Sequence, residues 1–182
     1  MSEKLRCFIA LDLPDGAVSE LKKVQQEIWK QDLFTGKLTE EENLHLTLKF
    51  LGSIDKNKVE NIKERLKHIS VNSFEAKINE IGIFSPEFVR IIWVTLNGNE
   101  AFELQSLIDN ALVDFFPKEE RFMSHITIAR VKNVKDKEKL IDYIDNFKIK
   151  EIKAKINSFS LITSELKPKG PIFTVIEKYK LN

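Results

Sequence analysis

The sequence predicts a two-lobed α+β domain built by internal duplication, and three observations carry that expectation. Apolar residues switch between strand and helix spacing along the whole chain, in the order βαβαβ and then βαβαβ with one further strand. The halves align with an offset near 80 residues, strand near 44 with strand near 124 and helix near 55 with helix near 136. No Pro-, Gly- or Ser-rich stretch separates them, so residues 1–182 read as one bilobal domain.

Leu5–Leu13 is mostly apolar and bounded by Pro14, Asp15 and Gly16, which marks a buried strand. From Pro14 to Lys30 the residues Val18, Leu21, Val24 and Ile28 form one helical stripe. A loop through Gly36 leads to a strand at Asn43–Leu51, stopped by Gly52. Asp55 is placed to cap a second helix with the stripe Val59, Ile62, Leu66 and Ile69. Strands follow at Phe74–Phe84 and Val89–Leu96, joined by the turn Ser85-Pro86-Glu87. A third helix covers about Glu100–Phe116, a strand Arg121–Val131, and a shorter helix about Asp136–Phe147. The chain closes with strands at Ile149–Thr163 and Pro171–Leu181.

The 182 residues are 42% hydrophobic and 31% charged, with thirteen Phe, which excludes a disordered chain. With 29 basic against 28 acidic residues the net charge is +1, unlike proteins that coat long nucleic acid. Recognition of a nucleic-acid end needs only a few local cations and stays open. The single cysteine, Cys7, allows no internal disulfide and no Cys-based zinc cage, and its strand setting reads as a buried, inert thiol. No signal-peptide pattern and no run of about 18–20 apolar residues appears. The expectation is a soluble cytoplasmic protein and, without a long exposed apolar stripe, a monomer.

The chemistry lies in two aligned strands, Asn43-Leu44-His45-Leu46-Thr47-Leu48-Lys49-Phe50 and Met123-Ser124-His125-Ile126-Thr127-Ile128-Ala129-Arg130. Two of only three histidines have Thr two residues later, on the order of a 1-in-200 coincidence at the Thr content of this chain. Strand alternation turns His45 and Thr47 to one face, and His125 and Thr127 likewise, over apolar neighbours. About a pseudo-twofold axis, two imidazoles and two hydroxyls converge. One imidazole can take a proton from an attacking oxygen while the other protonates the leaving oxygen, and the threonines can donate to phosphate oxygens. No carboxylate cluster accompanies the motifs, so the chemistry reads as metal-independent and without a cofactor. Lys49 shares the face of His45 and Thr47 in a regular strand and is a candidate phosphate contact. Arg130 has the opposite parity to His125, so it reaches substrate only past the regular strand or at a bulge. His68 lacks a Thr partner and reads as a surface residue. Phe8, Phe84, Phe88 and Trp93 read mainly as core, and Ser124 points away from His125.

The paired strands resemble the two signature motifs of the 2H phosphoesterase superfamily, and within it the RNA 2′,3′-cyclic phosphodiesterase (2′-5′ RNA ligase-like) branch. The resemblance rests on His45–Gly52 and Ser124–Arg130, with Arg6–Leu11, Gly82-Ile83-Phe84, Arg90–Trp93 and Ser164–Pro171 around them. It implies two pseudo-twofold-related lobes whose antiparallel sheets line a central cleft, with helices outside. It further implies hydrolysis of an RNA 2′,3′-cyclic phosphate terminus to a 2′-phosphate, with His45 as proton donor to O3′ and His125 as acceptor from water. Thr47, Thr127, Arg130 and Lys49 are the substrate-binding candidates. A reverse reaction, joining the cyclic phosphate to a 5′-hydroxyl as a 2′-5′ bond, is implied as a side activity. Relatives often carry Tyr where this chain has Phe173. The alternatives are a phosphodiesterase acting on a small cyclic nucleotide and a non-catalytic module that binds RNA ends.

Overall fold

The computed structural model describes residues 4–168 and 170–182. In chain order the elements are β1 (Lys4–Leu11), α1 (Asp15–Lys30), β2 (Phe34–Leu38), a 3-10 turn (Glu41–Asn43), β3 (Leu46–Asp55), α2 (Lys56–Lys67) and β4 (Phe74–Ile83). They continue with β5 (Ile91–Asn97), α3 (Asn99–Ala111), β6 (His125–Val134), α4 (Lys137–Asn146), β7 (Ile152–Ile156), β8 (Ser158–Lys167) and β9 (Gly170–Lys180).

All strand pairings are antiparallel, and they form two arms, β7-β4-β5-β6 and β3-β1-β8-β9, with β2 on the free side of β6. The arms meet where Leu46 of β3 pairs with Ile126 of β6. These two residues occupy the same place in the repeat, so a pseudo-twofold axis runs through their pair. Strands are exchanged between arms: β4, from the first half of the chain, lies beside β5, whereas β8 returns from the second half to lie beside β1, with β9 beyond it. Helices α1 and α4 cover the β6-containing arm, and α2 and α3 cover the β3-containing arm. The expected α+β architecture of two antiparallel arms with outer helices is therefore present.

The helical stripes explain the layering. Leu21, Val24 and Ile28 of α1, and Val59, Ile62 and Leu66 of α2, are buried against the sheet, while Val18 and Ile69 lie at the margin of the core. Asp136 caps α4 by accepting from the Lys139 backbone N–H at 3.1 Å. Cys7 is buried in β1, and burial raises its thiol pKa against a hydrogen bond with Thr163, as suits an unreactive thiol. Among the described residues no helix is long and apolar enough to cross a membrane.

Four expectations change. The segment around Gly36 is strand β2 on β6, not a loop; its low apolar content is that of an exposed edge strand. A Cβ at Gly36 would sit 2.1 Å from the Arg130 carbonyl oxygen, so only glycine permits this approach. β3 passes through Gly52, at φ +70°, and continues to Asp55. Helix α3 ends at Ala111 rather than Phe116. The strand expected at 149–163 breaks at Asn157 into β7 and β8, which lie in opposite arms.

Candidate active site

The two histidine strands change parity just after the threonine. Opposite β1, Ala10 pairs with Thr47 and Ile9 with Lys49, leaving Leu48 as an extra residue. Opposite β5, Trp93 pairs with Thr127 and Ile92 with Ala129, leaving Ile128. Leu48 and Ile128 are thus β-bulges at matching positions of the repeat, and both are buried. Past each bulge the next residue also turns inward, and the one after it turns outward.

That shift decides the fate of two candidates. Arg130 is exposed and joins the face of His125 and Thr127, by way of the bulge its parity required. Lys49 goes the other way and does not share the face of His45 and Thr47. It is 5% exposed, ion-paired with Asp109, and donates to the Pro117 carbonyl at 2.7 Å. The expectation that Lys49 contacts phosphate is corrected, because the bulge turns it into the core. Phe50 takes the outward place instead, 69% exposed.

The antiparallel sense at Leu46–Ile126 sets His45 across from Thr127 and Thr47 across from His125. The imidazoles stand on one diagonal of this face and the hydroxyls on the other. His45 Nδ1 lies 2.7 Å from the Asn43 carbonyl, and His125 Nδ1 lies 2.9 Å from the Met123 carbonyl. A carbonyl only accepts, so both Nδ1 atoms carry the proton and both Nε2 atoms are left to work. Nε2 of His45 lies 3.0 Å from Thr47 Oγ1.

Burial pushes the His45 imidazole below its ordinary pKa of 6.5, and the hydrogen bond to the Asn43 carbonyl opposes it. The charges of Arg130 and His125 push it down further, and Asp12 opposes. His45 therefore feels the cation and the histidine of the other arm.

Aromatic rings fix the imidazoles. Phe8 and Phe173 lie 5.0 and 5.4 Å from the His45 ring, Phe173 edge-on. Phe84 meets His125 edge-on at 5.0 Å. Phe8 is buried, as expected, but Phe84 and Phe88 are 50% and 74% exposed and are not core residues. The stretch Ser164–Pro171 spans the β8–β9 hairpin that delivers Phe173, and its Lys169 lies outside the described residues. Ser124 donates to the Leu96 carbonyl at 2.6 Å, which takes it away from His125. His68 ends α2 and is not part of the site.

A cavity of about 380 Å³ opens beside His45, lined by Asp12, Asp15, Glu42, Leu44, Phe173 and Lys178, among others. Asp12 accepts from Ser158 at 2.7 Å and from Ser160 at 2.9 Å. The acidic lining repels phosphate, so an anion is better held on the Arg130 side, between the histidines. Sequence reading did not place Asp12 or Phe173 at the site: Asp12 follows β1 and is held by Ser158 and Ser160, and Phe173, within β9, meets the rings of Phe8 and His45, all far away in the chain.

The chain matches the family model described as LigT like Phosphoesterase twice, over residues 11–93 and 94–173. It is 35% identical over 180 residues to a Methanocaldococcus jannaschii protein named RNA 2′,3′-cyclic phosphodiesterase, covering 96% of this chain and 100% of that one. It is 34% identical to a Thermotoga maritima protein of the same name, covering 94% and 93%. Among solved structures, E. coli LigT in apo form superposes with a TM-score of 0.80 at 19% identity, covering 99% of each chain. E. coli LigT complexed with 3′-AMP superposes at 0.77 and 19% identity, covering 98% and 99%.

Proposed function

The chain belongs to the LigT-like phosphoesterase family, and from that premise we propose that it is an RNA 2′,3′-cyclic phosphodiesterase. The single observation that carries the reading is the pairing of two His-x-Thr faces across Leu46–Ile126, with Arg130 turned onto the same surface. A cyclic phosphate between the two Nε2 atoms has a base on one side and an acid on the other.

The step balances with this chain's own groups. His125 Nε2 takes a proton from water as its oxygen bonds to phosphorus. The bond from phosphorus to O3′ breaks, and His45, as the imidazolium, gives its Nε2 proton to O3′. The product carries a 2′-phosphate and a 3′-hydroxyl. Thr47, Thr127 and Arg130 hold the non-bridging oxygens, where charge grows in the transition state. These groups supply every proton and charge the displacement needs, so the reading includes no metal and no cofactor. With a 5′-hydroxyl in place of water as the attacking group, the same ring opening joins ends by a 2′-5′ bond. The reading extends to a cytoplasmic monomer acting on RNA ends.

The test is product analysis. A short RNA ending in 2′,3′-cyclic phosphate, incubated with the protein and EDTA, is expected to gain a 2′-phosphate, and His125→Ala is expected to abolish it. An untouched cyclic end, with turnover of a 2′,3′-cyclic mononucleotide run alongside, would move the substrate to small cyclic nucleotides. No turnover of either would leave a binding role.

A further inference from the structure

The two histidine strands share little direct hydrogen bonding, since the arms meet at Leu46–Ile126 and diverge from there. Yet in-line displacement needs the two imidazoles fixed relative to each other. Two buried polar side chains, one from α1 and one from α3, add side-chain ties to the backbone contacts already present, the β2–β6 ladder and the Thr39 N–H that donates to the Ile128 carbonyl at 3.0 Å.

Gln25 of α1 is 3% exposed and donates from Nε2 to the Ile128 carbonyl at 2.7 Å and to the Thr39 carbonyl at 2.8 Å. Ile128 is the bulge of the His125 strand, and Thr39 stands on the segment leading into His45. Asp109 of α3 is 4% exposed. One of its oxygens accepts from Lys49 Nζ, and the other from the Glu119 backbone N–H at 2.8 Å and Gln105 Nε2 at 2.7 Å. Lys49 adjoins the bulge of the His45 strand, and Glu119 stands on the segment leading into His125. Each helix thus ties the bulge of one histidine strand to the approach of the other histidine.

The two ties are the same tie, repeated. The buried α1 positions Ala17, Val24, Gln25 and Ile28 match Ala101, Ile108 and Asp109 of α3 and Leu112 just past its end, each 84 residues later. Thr39 and Glu119 match at the motif offset, each six residues before its histidine. The chemistry of the pair has diverged, amide in one and carboxylate with lysine in the other, while the connection has stayed. Packing alone asks only for an apolar side chain at these helix positions, and a buried polar group is costly unless it is paired. What a hydrogen bond adds is direction.

We propose that Gln25 and the Asp109–Lys49 pair are positioning residues that set the separation and facing of His45 and His125. This rests on the two-histidine reading above. Lys49, expected from the sequence to touch phosphate, acts instead through the strand it anchors.

The experiment compares the full-length wild type with Gln25→Leu, the double variant Lys49→Met/Asp109→Leu, and His125→Ala, on an RNA ending in 2′,3′-cyclic phosphate. Apolar replacement of both partners leaves no orphan charge, and Gln25→Leu stands alone should the double variant not fold. Both tie variants are expected to lose about 10- to 100-fold in kcat with KM within about twofold, and to melt somewhat lower because the groups they held, Gln105 Nε2 and the Glu119 N–H among them, lose a partner. The His45 C2–H titration is expected to move up towards the ordinary imidazole value, because the charges of the other arm move away. Folded tie variants with wild-type kcat and an unmoved His45 titration overturn the inference while an inactive His125→Ala leaves the two-histidine reading standing. A fully active His125→Ala overturns that reading itself, and this inference with it.

Discussion

Leu46 faces Ile126 where the two arms meet, and the residues flanking that pair, His45, Thr47, His125 and Thr127, are the four that carry the proposed chemistry. An apolar pair at the centre of the pseudo-twofold keeps the strands in register from the core side. The reactive groups then emerge on the opposite face.

The first expectation concerns the histidines. His45→Ala and His125→Ala are each expected to lower kcat by about 10²- to 10⁴-fold, the usual contribution of a positioned acid or base. Melting temperatures should hold, because Leu46, Leu48, Ile126 and Ile128 remain fully packed beneath them. Steady-state kinetics with thermal unfolding checks both, and near-full turnover in either variant rejects the assigned roles.

The acid–base polarity makes a pH prediction. His45 as donor must be protonated, and in the free protein its pKa lies below 6.5. kcat/KM is therefore expected to fall as pH rises through that lowered value. Bound substrate brings a phosphate anion beside the imidazole and neutralises Arg130, so the alkaline limb of kcat is expected at higher pH than that of kcat/KM. The limbs belong to the coupled histidine pair. Coincident limbs would reverse or remove the donor assignment.

The same shift is linked to stability. Unfolding returns His45 to an ordinary pKa near 6.5, so between its lowered native value and that point the unfolded chain binds more protons than the native one. Stability is expected to rise with pH through this window and to level off above it. Thermal unfolding at a series of pH values should show the slope, and His45→Asn should flatten it.

Arg130 and Lys49 separate substrate binding from scaffolding. Arg130→Ala is expected to reduce kcat/KM by about 10²- to 10³-fold, as for loss of one transition-state donor, without change in melting. Lys49→Ala leaves Asp109 buried without its counter-charge, and is expected to cost about 3–5 kcal/mol of stability. Denaturant unfolding of both variants distinguishes them.

Gly36→Ala tests the edge strand. The new Cβ meets the Arg130 carbonyl oxygen at 2.1 Å, so β2 must pull away from β6. A loss of about 1–3 kcal/mol, typical of forced overpacking, is expected in denaturant unfolding. Arg130 sits on that backbone, so kcat/KM should fall too.

Much of this was legible in the residues. Periodicity gave the helices because their apolar stripes are buried on one side only, and the repeated His-x-Thr pointed to a duplication and to the site proposed above. The failures share a cause: alternation is a local rule, and a bulge is decided by the partner strand. Lys49 looked outward because β3 was read as regular, and Phe50, which is 69% exposed, was expected in the core for the same reason. Arg130 escaped the error only because its parity already called for a bulge. β2 carries two apolar residues in five and gains its identity from β6 alone. Asp12 and Phe173 join the site through long-range contacts, to Ser158 and Ser160 and to the rings of Phe8 and His45, that no neighbouring residue announces.

The exchange of strands between arms also governs when the catalyst comes into being. Cys7 pairs with Thr163, and Phe173 closes over His45, so β1 waits for β8, and His45 for β9. A growing chain at residue 140 already contains both histidines, yet β1 still has an open edge and Asp12 lacks Ser158 and Ser160. Such distant pairing is slow to form. The proposed chemistry thus needs β8 and β9 in place, and a chain cut before them carries both imidazoles without the enclosure that makes them a pair.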